Sequence, residues 1–218
     1  MASLHTATNR NIDWGMGPRR AITFPMFGDG IFTQEDNAWK NSRHSLRPQF
    51  LHRQYEDLSV FEEATDDLLE VIEYSIGSNG VVDLQPLFFR FTLDTTTEFL
   101  FGESMKSLRA PHKAGERTFA EAFNTAQEYV AKRFRLLDLY WLIGGRKFRE
   151  ACAQVHQFAD KIIDQNLSRD RTKGSQQKYV FLDSVAESSQ DRLALRGQIV
   201  NILAAGRDTT ACLLSWTL

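Results

Sequence analysis

Near its carboxyl end the sequence carries Ala204-Ala205-Gly206-Arg207-Asp208-Thr209-Thr210, an acid and an alcohol next to a residue with no side chain. Along one helix face the positions read Leu195, Ile199, Ile202, Gly206, Thr209, Leu213 and Trp216. Alternating three- and four-residue spacing is the apolar stripe of a buried helix. Gly206 and Thr209 interrupt it. Glycine costs helix stability, and a hydroxyl on a buried face needs a partner. The pattern therefore predicts room for something beside Gly206, with Thr209 hydrogen-bonded to it. Thr209 also lies four residues after Ala205, so its hydroxyl can reach back to that carbonyl and loosen the local ladder. Asp208 sits about 100° round the helix from it. Acid and alcohol beside a small void suit relaying protons from water to a bound oxygen species. A second reading stands beside this one: Gly206 as a C-cap and Asp208 as the N-cap of a following helix.

Far upstream lies a pair of donors. Trp39 and Arg43 are four apart and share a helix face. An indole N–H and a planar guanidinium suit a carboxylate, which arginine grips through two hydrogen bonds. A surface cation–π pair, or Trp39 as a core aromatic, accounts for the same spacing. Arg47 continues that face.

Together these segments resemble the cytochrome P-450 family. Ala205-Gly206-Arg207-Asp208-Thr209-Thr210 is similar to the Ala/Gly-Gly-x-Asp/Glu-Thr-Thr motif of its oxygen-binding helix, and Trp39-Lys40-Asn41-Ser42-Arg43 to its Trp-x-x-x-Arg. Gly28-Asp29-Gly30-Ile31-Phe32-Thr33 before the latter and Leu46-Arg47-Pro48-Gln49-Phe50 after it resemble the fatty-acid and alkane hydroxylating branch, especially that of fungi. The resemblance implies a haem-thiolate monooxygenase with haem b, one of whose propionates Trp39 and Arg43 hold. Ala205 and Gly206 leave space for oxygen and substrate, Thr209 hydrogen-bonds the bound oxygen species, and Asp208 helps deliver protons to it. Phe32 projects over the haem and shapes substrate approach; with 16 Phe in the chain, plain core packing is its alternative. The implied partners are O2, an NADPH-cytochrome reductase that supplies electrons, and a hydrophobic substrate, a long-chain alkane or fatty acid. The implied location is the cytosolic face of the endoplasmic reticulum membrane.

Other parts of the family pattern have no match. Neither a Glu-x-x-Arg helix nor a Phe-x-x-Gly-x-x-x-Cys-x-Gly loop, whose thiolate ligates haem iron, occurs among the 218 residues. Cys152 and Cys212 lie in other contexts, so no metal ligand is assigned to this chain. Residues 1–218 read as a partial domain, from the Trp-x-x-x-Arg helix through the oxygen-binding helix, cut before the haem-ligand loop, without a membrane anchor and inactive alone. The rival reading is a truncated, non-catalytic helical interaction protein.

Bulk properties fit a soluble globular chain: 25% charged and 42% hydrophobic residues. A net charge of −2 gives no global attraction for nucleic acid. Two cysteines without metal-like spacing argue against a disulfide scaffold and for a reducing compartment.

The elements that must position these residues are helices, and the fold class is all-α. Residues 1–34 read as irregular, punctuated by Gly15, Gly17, Pro18, Pro25, Gly28 and Gly30. Helices are expected over Gln34–Phe50, stopped near Pro48, and over Gln54–Ile76 with Leu58, Phe61, Thr65, Leu68, Leu69, Ile72 and Ile76 as its apolar face. Others follow over Leu87–Phe101, 115–134, 145–168 and Phe181–Glu187, with a mobile polar connector from Ser168 to Lys178. A capping box at Ser188-Ser189-Gln190-Asp191 opens the last helix. From Leu136 to Ile143 an apolar-aromatic patch lies between Lys132, Arg133 and Arg135 on one side and Arg146, Lys147 and Arg149 on the other. That composition suits a membrane interface. Packing against the rest of the protein is the alternative.

Overall fold

The computed structural model describes residues 15–50, 58–109, 114–168, 181–188 and 191–218, and among them every regular element is helical. In chain order these are α1 (Arg19–Phe27), α2 (Asp36–Leu46), α3 (Ser59–Ser75), α4 (Leu84–Phe101), α5 (Ala114–Leu136), α6 (Arg146–Leu167), α7 (Phe181–Ser188) and α8 (Arg192–Thr217). Short 3₁₀ turns follow α2 at Arg47–Phe50 and α5 at Leu137–Leu142. Beyond Ser168 the expected connector lies outside the described residues, as do residues 54–57 of the helix expected over Gln54–Ile76.

Loop punctuation hid α1. Gly17 (φ 55°) and Pro18 start the helix rather than exclude it, and Gly28 (φ 61°) ends it with its N–H on the Phe24 carbonyl. Pro25 is accommodated inside it. A cation from α5 secures the element: the buried Arg133 guanidinium donates to the carbonyls of Ala21 (3.1 Å) and Ile22 (2.9 Å). α4 starts earlier than expected because Asp83 accepts from the Gln85 N–H at 3.2 Å, which places Pro86 in the first turn. Gly102 closes it in the left-handed region, as expected (φ 70°, ψ 11°). The apolar face of α3 is shifted from the expected one: Ala64, Asp67 and Leu68 are buried, while Phe61 and Leu69 are exposed. Asp67 tolerates burial because Arg109 bonds its carboxylate.

One hydrophobic cluster joins α1 (Ile22, Met26), α4 (Leu93, Leu100), α5 (Phe123, Ala126), α6 (Val155, Ile163) and α8 (Leu195, Ile199, Leu203). α8 is its axle, running alongside α4 and touching α6 and α1.

Candidate functional site

α8 runs unbroken from Arg192 to Thr217, so the expected alternative of a helix break at Gly206–Asp208 is overturned. Its cap is Asp191, whose side chain accepts from the Leu193 N–H at 2.9 Å. Ser188 belongs to α7 instead, and Ser189 and Gln190 lie outside the described residues. The apolar stripe is inward only in its first half. Leu195 and Ile199 are 1% exposed, but Thr209 is exposed, Leu213 is 65% exposed and Trp216 89%. The buried line runs instead through Leu195, Ile199, Leu203, Arg207 and Ala211. These residues form an i±4 ridge, the row that obliquely crossing helices bury against each other.

Thr209 Oγ1 donates to the Ala205 carbonyl at 2.6 Å, the expected bond. The expected loosening of the ladder does not follow; the helix stays α throughout. Because the hydroxyl proton is directed inward, the lone pairs of Oγ1 are left to accept from the exposed side. Ala205 and Gly206 beside it are half-buried. Gly206 has a packing reason to be glycine: a Cβ there would meet Thr96 of α4, with Oγ1 at 2.9 Å and Cγ2 at 3.0 Å. Glycine lets α4 and α8 approach, and the space of its missing side chain belongs to Thr96 rather than to a void.

Asp208 is half-buried and bonded on both oxygens, to Gln127 Nε2 through Oδ2 and to Arg207 Nη1 through Oδ1 at 2.9 Å. Arg207 is 3% exposed, with Cζ 5.0 Å from the Phe89 ring and 5.2 Å from that of Phe123. Its Nη2 donates to Asn124 Oδ1 at 2.7 Å, and Nε has no partner. Burial lowers the pKa of this guanidinium and the Asp208 carboxylate opposes that shift.

Phe32 stands at the tip of a loop laid across α8, with its ring 47% exposed. Phe32 is thus not part of the core formed by the described residues. The loop is attached through its backbone: the Ile31 N–H donates to Gln198 Oε1 at 3.0 Å and the Phe32 N–H to Asn201 Oδ1 at 3.0 Å. On α2, Arg43 Cζ lies 5.7 Å from the Trp39 ring, in the cation–π arrangement. Both line an open groove with Lys40, His44, Arg47 and Pro48. Indole and guanidinium on one exposed face form a donor set that fits a haem propionate. An axial thiolate has no such fit here. Cys152 is buried, its thiol pushed up to about 12 chiefly by burial, and Cys212 is an exposed residue of α8.

The patch after α5 is open rather than packed: Leu137, Leu139, Trp141 and Leu142 are all exposed, with Tyr140 and Ile143 half-buried. Arg133, expected as one of its basic shoulders, is buried under Tyr140 and Phe148. Lys132 and Arg146 are paired with Glu128 and Glu150, each at 2.6 Å. Among the described residues, no helix is long and apolar enough to cross a membrane, and no cluster of potential metal ligands occurs.

The sequence reading missed Gln198, Asn201, Arg207, Gln127 and Thr96. A signal existed for the first two: amides three apart beside Leu195 and Ile199 had to be buried and therefore bonded.

A family model described as cytochrome P-450 matches residues 15–218. A cytochrome P-450 of Arthroderma benhamiae is 46% identical over 222 residues, covering 99% of this chain and 42% of that protein. Cytochrome P-450 52A4 of Candida maltosa is 42% identical over 214 residues, covering 94% of this chain and 39% of its own length. A crystal structure of a cytochrome P-450 superposes with a TM-score of 0.71 at 21% identity, over 90% of this chain and 46% of that one, a likeness of fold. The chain spans about two fifths of the length of these curated relatives.

Proposed function

We propose a function from the premise that this chain belongs to the cytochrome P-450 family: it forms part of a monooxygenase domain and supplies the wall that faces oxygen and substrate. The observation that carries this reading is Thr209, an accepting hydroxyl exposed on a helix face shared with Ile202, Leu213 and Trp216. Haem b bound against this wall supplies reductive activation of dioxygen, with electrons from an NADPH-dependent reductase.

Trp39 Nε1 and the Arg43 guanidinium would hold a propionate in the open groove along α2. Thr209 Oγ1 cannot donate outward while its proton is on the Ala205 carbonyl. It would therefore accept from, rather than donate to, a group on that face that carries a proton of its own. Asp208 Oδ2 is the acceptor nearest in sequence for that proton traffic. Arg207 holds that carboxylate in place through Oδ1. Ala205 keeps the adjoining surface small, and the Phe32 ring directs one part of a flexible apolar substrate towards it. A long-chain alkane or fatty acid matches this apolar lining and the similarity of the Gly28–Phe50 block to hydroxylases of such substrates. The exposed patch at 136–143 supports a position on the cytosolic face of the endoplasmic reticulum membrane, where such substrates partition.

Replacing Thr209 by Ala in the complete haem-loaded enzyme should raise hydrogen peroxide released per hydroxylated product several-fold. Unchanged coupling overturns the role given to Thr209.

A further inference from the structure

We infer that Gln198 and Asn201 are positioning residues that hold the Phe32 loop in register with Thr209 and so help to decide which substrate carbon is presented. The inference deepens the proposed function and rests on its reading of Phe32 as a pocket residue.

Loops are mobile unless their backbone is tied down. Here the tie is made by side chains of the helix that carries Thr209. Asn201 Oδ1 accepts from the Phe32 N–H, while its Nδ2 donates to the carbonyls of Phe27 (3.0 Å) and Gly197 (2.7 Å). One fully buried amide thus grips the loop at both ends. Gln198 repeats the device, accepting from the Ile31 N–H and donating to Ser42 Oγ at 2.6 Å. Ser42 precedes Arg43 on α2. The same pair of amides therefore registers both the aromatic at the pocket and the helix of the propionate donors against α8.

Close approach makes the register specific. A Cβ on Gly197 would stand 1.9 Å from the Asp29 carbonyl oxygen, and one on Gly30 would stand 2.4 Å from Asn201 Nδ2. Thr33 closes the loop on itself, donating from Oγ1 to the Gly28 carbonyl and accepting from the Gly30 N–H, both at 2.8 Å. A loop so braced moves as a body or not at all. Asn201 and Thr209 share one rigid helix, about 12 Å apart along its axis. The position of Phe32 relative to Thr209 is thereby set by three hydrogen bonds from the two amides, to Phe27, Ile31 and Phe32.

The test uses the complete haem-loaded enzyme, with the carbon monoxide difference spectrum checking each variant for native haem ligation. Amide exchange at Ile31 and Phe32 should accelerate at least about tenfold in Asn201→Ala and in Gln198→Leu, with little change near Thr209. Gln198→Glu keeps the oxygen that accepts from the Ile31 N–H, so exchange there should stay near the wild-type rate. With dodecanoic acid as probe, Asn201→Ala should shift the ratio of hydroxylated positions in the direction that Phe32→Ala shifts it. Gln198→Glu should keep the wild-type ratio. Purely structural damage would lower the melting temperature and leave that ratio alone. Should Asn201→Ala not fold, Gln198→Leu, which removes a single amide, decides. Unchanged exchange in the loss variants overturns the inference whether or not dodecanoic acid is turned over. A ratio moved by Phe32→Ala but by neither loss variant overturns it as well. A ratio unmoved by Phe32→Ala, with exchange accelerated as expected, overturns the pocket reading of Phe32 and leaves the brace standing.

Discussion

In the first half of α8 every polar atom of Gln198 and Asn201 is bonded and the apolar neighbours Leu195, Ile199 and Leu203 are buried. In the second half the same helical periodicity brings Thr209, Leu213 and Trp216 to an exposed face. The halves differ in what crosses them. The Gly28–Thr33 loop and the core seal the first, whereas the second is covered by α4 and α5 on its Arg207–Ala211 side only. Apolar periodicity thus reports that a face will be covered without saying by what. Under the proposed function the open half is where the chain stops packing on itself and begins to pack on cofactor and substrate.

Paired truncations give the largest effect that bears on this contrast. Leu203→Ala removes a side chain that is 2% exposed and should cost about 2–5 kcal/mol in urea unfolding. Leu213→Ala, at a residue 65% exposed, should cost less than about 0.5 kcal/mol before a cofactor is added. Equal costs would break the comparison, since the second half would then be as closely packed as the first.

Gly197→Ala comes next. Helix propensity alone favours alanine by about 1 kcal/mol. The Asp29 carbonyl is backbone and cannot rotate aside, so the new methyl must push the loop off α8. Overpacking of that kind costs about 1–3 kcal/mol, and the variant should unfold at lower urea than wild type. A variant more stable than wild type would mean that the loop is not braced there.

Much of this was legible in the residues and some was not, for identifiable reasons. Helix existence from α2 onward followed apolar spacing, and Gly102 and the Ala205–Thr209 bond were read correctly from local rules that need no tertiary context. α1 was missed because Gly17, Pro18 and Gly28 punctuate a helix and a loop in the same way. Arg133 was assigned to the surface because charge patterning cannot see the carbonyls of Ala21 and Ile22 waiting for a donor from α5. Gly206 was read as space because a sequence cannot show that Thr96 fills it. Arg207 looked like the free position of a motif, yet it is the buried cation on which Asp208 rests. Pairings across long separations are what periodicity leaves out.

The smallest expected effect sharpens the contrast through pH. His156 Nε2 lies 2.8 Å from the Met26 carbonyl, at the end of α1 that leads into the Phe32 loop. Burial is the main cause that holds this imidazole below its ordinary value of 6.5; Arg196 lowers it further, and the Met26 hydrogen bond and Asp160 oppose the shift. The unfolded chain therefore takes up a proton near pH 6.5 that the folded chain accepts only at lower pH. Stability is present above 6.5 and is lost progressively as pH falls from there towards the depressed folded value. His156→Gln, whose amide can still donate to Met26, should flatten the fall in melting temperature between about pH 7 and 5. Amide exchange at Ile31 and Phe32 in the wild type should accelerate over the same range, and exchange around Thr209 should not. Equal acceleration at both places would mean that the two halves of α8 open together, and the division drawn between them would then have no dynamic counterpart.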